Sequence, residues 1–130
     1  QKLKAKEIKA QGNTHVGANE WEPAVTCYSE AIVSDPTDAT FYSNRSACYM
    51  HLDKPDLALS DAVIARHLRP EWPKAAFRMA VARLELGRYE DAAVSAWEGM
   101  QLDENNQELK ALLQKCVKRG RKDYHANGNN

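Results

Sequence analysis

A period of thirty-four residues runs through this chain and restricts what it can fold into. Pro36 and Pro70 are one period apart, as are Ala24, Ala58 and Ala92, then Ala31, Ala65 and Gly99, then Gly12, Ser46 and Ala80. Asp35 and Asp103 are separated by two periods. Small residues at fixed offsets are what close helix packing needs, because a bulky side chain at those points would force neighbouring backbones apart. The spacing therefore predicts an all-α chain of stacked helical hairpins.

Local signals divide the chain into helices. Gly17 and Gly87 fall where first helices of a hairpin should end in a left-handed cap. Pro55 and Pro23 sit in the opening turns of second helices, where a missing amide donor costs little. These marks predict helices over 3–17, 21–34, 38–51, 55–67, 72–85 and 89–102. A seventh, over about 105–120, starts at Asn105 as N-cap with Glu108 three residues on and ends near Gly120. Leu109, Leu112, Leu113, Cys116 and Val117 form its apolar stripe, as expected of a helix that closes a solenoid. Lys110, Lys115, Lys118, Arg119, Arg121 and Lys122 lie off the stripe or beyond it, and residues 125–130, HANGNN, read as a disordered tail.

The pattern resembles the tetratricopeptide repeat (TPR), which sets a small residue at position 8, Ala at 20, an aromatic at 24, a small residue at 27 and Pro at 32. With position 1 at Ala5, the first repeat supplies Gly12, Ala24, Tyr28, Ala31 and Pro36. The second supplies Ser46, Tyr49, Ala58, Ala65 and Pro70 but has Ala62 in the aromatic place. The third supplies Ala80, Ala92, Ala96 and Gly99, with Glu104 in place of the proline. The resemblance implies a right-handed superhelix of three hairpins, over about 5–38, 39–72 and 73–106, plus a capping helix, in one domain spanning 1–124. The ending GRKDYH also resembles the close of the TPR module that follows ankyrin repeats in some plant proteins.

Five residues make the resemblance more specific. Co-chaperones of the 90-kDa and 70-kDa heat-shock proteins carry a two-carboxylate clamp: Lys and Asn four apart on the first helix, Asn on the third, and Lys and Arg four apart on the fifth. This chain has Lys9 and Asn13, Asn44, and Lys74 and Arg78 at those places. In repeat coordinates they fall within an arc of about 100° at roughly 100° per residue, with the packing positions pointing roughly opposite. The resemblance implies that Lys9, Asn13 and Asn44 hold the terminal carboxylate of an acidic tail ending in Glu-Glu-Val-Asp. Lys74 would hold the adjacent side-chain carboxylate, and Arg78 a backbone or upstream acidic group. Ala47, Met50, Phe77 and Val81 continue the same face and would receive an aliphatic side chain of the tail. A structural scaffold without free-tail recognition is the alternative, and the clamp does not choose between the two chaperone families.

Bulk composition removes other classes. Eighteen basic residues balance eighteen acidic ones, so no global field favours nucleic acid or an anionic membrane. No apolar run approaches the eighteen or so residues a membrane span needs. Cys27, Cys48 and Cys116 are odd in number and without a CxxC pair, which predicts reduced, buried thiols and a cytoplasmic or nuclear setting. His15, His51, His67 and His125 lack metal-ligand spacing, and no phosphate loop or catalytic string occurs, so neither cofactor nor enzyme activity is expected. His15 is expected in an aromatic packing position and His51 near the groove rim. Trp21, Trp72 and Trp97 are dispersed as packing residues would be, and a monomer is expected. The chain opens on Gln1 rather than Met, which predicts a segment of a longer protein.

Overall fold

A computed structural model describes residues 2–128, among which there are seven α-helices and no strand. They are α1 (Lys2–Gly17), α2 (Trp21–Ser34), α3 (Ala39–His51), α4 (Pro55–Leu68), α5 (Pro73–Glu85), α6 (Tyr89–Leu102) and α7 (Gln107–Ala126). Each helix packs on the next in sequence, while α5 also touches α3 and α7. The hairpins α1/α2, α3/α4 and α5/α6 thus form one stack, with α7 closing it.

Every small residue of the thirty-four-residue period is buried. Ala24, Ala58, Ala92, Ala31, Ala65 and Ala80 are fully so, and Gly12, Ser46 and Gly99 are buried beside them. A Cβ on Gly12 would stand 2.7 Å from Cε1 of Tyr28, so the absent side chain makes room for the aromatic ring. The same facing positions hold Ser46 and Ala62 in the second hairpin and Ala80 and Ala96 in the third. The small Ala62 at the aromatic position therefore compensates volume, because Ser46 already fills the space that Gly12 leaves to Tyr28. Ser46 Oγ also donates to the Ala58 carbonyl at 2.8 Å, bridging α3 to α4. At the next recurrence stands Gln114, which is exposed. A fourth second helix cannot seat there as the first three do.

Polar links fix the hairpins relative to each other. Arg45 on α3 donates from Nε and Nη2 to the two oxygens of Asp61 on α4, each at 2.7 Å, and from Nη1 to Ser29 Oγ on α2 at 3.0 Å. Asp61 is only 3% exposed, and its hydrogen bonds raise the Arg45 pKa, keeping the guanidinium charged. Arg66 Nη1 reaches Glu98 at 3.1 Å, joining α4 to α6.

Four local expectations need correction. The left-handed residue after α1 is Asn19, not Gly17, and the series Asn19, Asp53 and Gly87, with φ of 59°, 58° and 76°, follows the thirty-four-residue period that Gly17 misses. Asn and Asp tolerate this region because a short polar side chain can bond locally. The N-cap of α7 is Asn106 rather than Asn105, accepting from Leu109 N at 3.0 Å. That helix runs past Gly120 to Ala126, because Gly120 serves close packing: a Cβ there would lie 3.2 Å from Cβ of Tyr89. His125 and Ala126 of the expected tail are thus helical, and the left-handed glycine is Gly128, at φ 83°. Residues 129–130 of that tail lie outside the described residues.

Candidate functional site

The first helices of the hairpins bring three of the five clamp residues to one place. Asn13 from α1, Asn44 from α3 and Arg78 from α5 line a pocket of about 260 Å³ together with Val16, Trp21, Tyr28, Ala47, Cys48 and His51. Arg78 also borders a smaller hollow of about 130 Å³, formed with Pro73, Lys74, Phe77, Asn106 and Glu108. Lys9 lines neither pocket; its Nζ stands 6.0 Å from the ring centroid of Phe41 on α3. Among the apolar candidates, Ala47 lines the larger pocket and Phe77 the smaller. Met50 and Val81 line neither, and Phe77 and Val81 pack in part against the core of the third hairpin.

Cations outnumber acids here, since Lys74 and Arg78 share their hollow with the single carboxylate of Glu108. Lys9, Lys74 and Arg78 form no salt bridge within 4.0 Å among the described residues. Burial pulls the Arg78 pKa below its ordinary value, with Glu108 opposing the shift, yet a guanidinium remains charged at neutral pH. A partly desolvated cation without a salt bridge is a position that an incoming anion can fill. Arg78 Nε points to Ser43 Oγ at 3.4 Å, a long contact from a buried hydroxyl.

Several contacts here have no signature in the sequence. Trp21 and His51 stack with centroids 3.8 Å apart and planes 2° from parallel, forming one flat wall of the larger pocket. Tyr28 donates its hydroxyl hydrogen to Asn13 Oδ1 at 2.6 Å. Glu108 arrives from α7, outside the three repeats. Each depends on contacts between helices, whereas Val16, one turn after Asn13, and Cys48, one turn after Asn44, follow helical spacing. His15 is partly exposed and bonds Glu20 at 3.0 Å through Nδ1, so it faces the rim of the hairpin and not its interior.

Cys48 is 1% exposed and burial pushes its thiol up to about 11, which keeps it protonated and unreactive at neutral pH. Cys116 is also buried, Cys27 is half-buried, and all three thiols are free. No group of His, Cys, Asp and Glu suited to a metal occurs among the described residues. No helix of the described residues is long and apolar enough to cross a membrane.

Comparison with known proteins places this geometry in context. No family model matches the chain. Over 111 residues, 85% of this chain, it is 42% identical to Protein STIP1 homolog of Dictyostelium discoideum, of whose length it spans 20%. The fold matches the Arabidopsis OM64 TPR domain with a TM-score of 0.86 at 30% identity, covering 89% of this chain and 96% of that one. It also matches the first TPR of Spaghetti (RPAP3), solved bound to the HSP90 peptide SRMEEVD. There the TM-score is 0.88 at 29% identity, covering 91% of this chain and 94% of that one.

Proposed function

The chain belongs to the tetratricopeptide-repeat family, and from that premise we propose that its groove binds the acidic C-terminal tail of a heat-shock chaperone through a two-carboxylate clamp. It acts as a binding module of a co-chaperone or adaptor and not as a catalyst. The main support is the convergence of Asn13, Asn44 and Arg78, from three separate helices, on one pocket whose cation forms no salt bridge among the described residues.

A peptide ending in Asp presents two carboxylates on adjacent carbons. Lys9, Asn13 and Asn44 take the terminal one, Lys74 takes the side chain, and Arg78 takes a backbone carbonyl or an upstream acid. Amides serve beside the lysines because a neutral N–H donor binds an anion without adding repulsion between cations. The aliphatic residue before the terminal Asp lies against Val16, Ala47 and the Trp21–His51 wall. Each charge-assisted bond contributes about 1.5–3 kcal/mol, and ordering a flexible tail offsets much of the sum. The net corresponds to a Kd of about 1 μM. Tails of the 90-kDa and 70-kDa chaperones share the features that this clamp reads, so both are proposed partners.

Titration of a labelled Glu-Glu-Val-Asp peptide into the chain and its variants tests the clamp. Lys9→Ala should weaken binding about tenfold or more, on the scale of a lost charge-assisted bond, and Lys74→Glu should abolish it. Wild-type affinity in both variants would assign the groove to scaffolding instead.

A further inference from the structure

The clamp amides differ in how they are held. Asn44 makes no side-chain hydrogen bond among the described residues, whereas Asn13 Oδ1 accepts the Tyr28 hydroxyl at 2.6 Å. Taking tail binding as its basis, we propose that Tyr28 is the positioning residue of the clamp: its hydroxyl sets which way round the Asn13 amide stands, presenting Nδ2 to the incoming carboxylate.

An asparagine amide has two faces of opposite use. With Nδ2 toward the pocket it donates to an anion; flipped, it would oppose that anion with Oδ1. A phenol could in principle accept from Nδ2 and so tolerate the flip. Two features favour the first arrangement. The 2.6 Å separation is the length of an O–H···O bond and shorter than an N–H···O bond. Tyr28 is also 1% exposed and its hydroxyl has no second acceptor among the described residues, so a flipped amide would take away the phenol's protein acceptor. Burial raises the Tyr28 pKa to about 12, so the proton stays on the phenol at neutral pH, where the tail is charged.

The ring is itself immobilised. It lies over Gly12, where an added Cβ would meet Cε1 at 2.7 Å, and packs with Ala24 and Cys48. Gly12 precedes Asn13, so the residue that admits the ring and the residue that the ring orients are neighbours on α1. An aromatic at this position thus does two things: it fills the hairpin core and it addresses the groove from behind. A phenylalanine would do only the first.

Tyr28→Phe keeps the ring and removes the oxygen, which suits a double-mutant cycle with Asn13→Ala, read as affinity for SRMEEVD. In the native background Tyr28→Phe should lower affinity about tenfold, the scale of one hydrogen bond. In the Asn13→Ala background the same change should lower it less than about twofold, since the amide it sets is gone. No loss in the native background, or an equal loss in both, would overturn the proposal. The side-chain amide resonances of Asn13 and Asn44 give a second readout without any tail. Tyr28→Phe should move the Asn13 pair and leave the Asn44 pair in place, and an unmoved Asn13 pair refutes the positioning role. A native chain that ignores the tail but shows the shift would refute tail binding alone.

Discussion

Tyr28 carries a pH signature as well as a positional one. Burial holds its phenol at a pKa of about 12, against 10.0 for the unperturbed group, so the folded chain binds that proton more tightly than the unfolded chain does. The sign follows from linkage: the contribution to stability is complete below pH 10.0 and is lost as the pH climbs through about 12. Denaturant midpoints measured across that alkaline window should fall more steeply for the native chain than for Tyr28→Phe; parallel curves would mean that the phenol is not held neutral by the fold. At this scale the sequence was partly legible. Lys9, Asn13, Asn44, Lys74 and Arg78 come from the resemblance, with helical offsets that agree on one face, and the structure brings Asn13, Asn44 and Arg78 to one pocket. The hydroxyl of Tyr28, the acid of Glu108 and the stack of Trp21 on His51 have no such mark, because each meets the groove through packing between helices that spacing along one chain segment cannot register.

Among the elements, glycine has two distinct uses, and the sequence does not separate them. Gly87 sits in the left-handed region after α5, as its place before a polar turn suggests. Gly12, Gly99 and Gly120 instead permit close approach within helices, and treating Gly120 as a terminator shortened α7. These contacts differ in how far they can yield. A Cβ on Gly12 meets the stiff, enclosed ring of Tyr28 at 2.7 Å, whereas one on Gly99 meets the methyl ends of Leu109 at 2.9 and 3.0 Å, which can rotate, and Ala76 Cβ at 3.2 Å. Gly12→Ala should therefore destabilise by about 1–3 kcal/mol, the range of overpacking, and Gly99→Ala by less. Equilibrium denaturation orders the two, and a larger effect at Gly99 would contradict the packing given for α1 on α2. The six hairpin helices were otherwise legible to within a residue or two, because period, proline and glycine all mark the same boundaries.

For the molecule as a whole, net charge says nothing about binding while charge placement says much. The eighteen basic and eighteen acidic residues cancel, yet Lys9 on α1 and Lys74 and Arg78 on α5 form no salt bridge among the described residues. The repeat architecture sets their placement, since stacking superposes first helices and converts offsets within each repeat into a line of donors across three of them. The apolar stripe of α7 packs through Leu112 and Cys116 on the third hairpin beside the site. A groove of that kind should read the end of a peptide and not merely its acidity. Calorimetric titration of two peptides of sequence SRMEEVD, one with a free C-terminus and one amidated, asks this directly. Binding in the micromolar range for the free acid and loss of at least about a hundredfold for the amide, the scale of two charge-assisted bonds, is the predicted result. Equal affinity for the two would contradict the clamp.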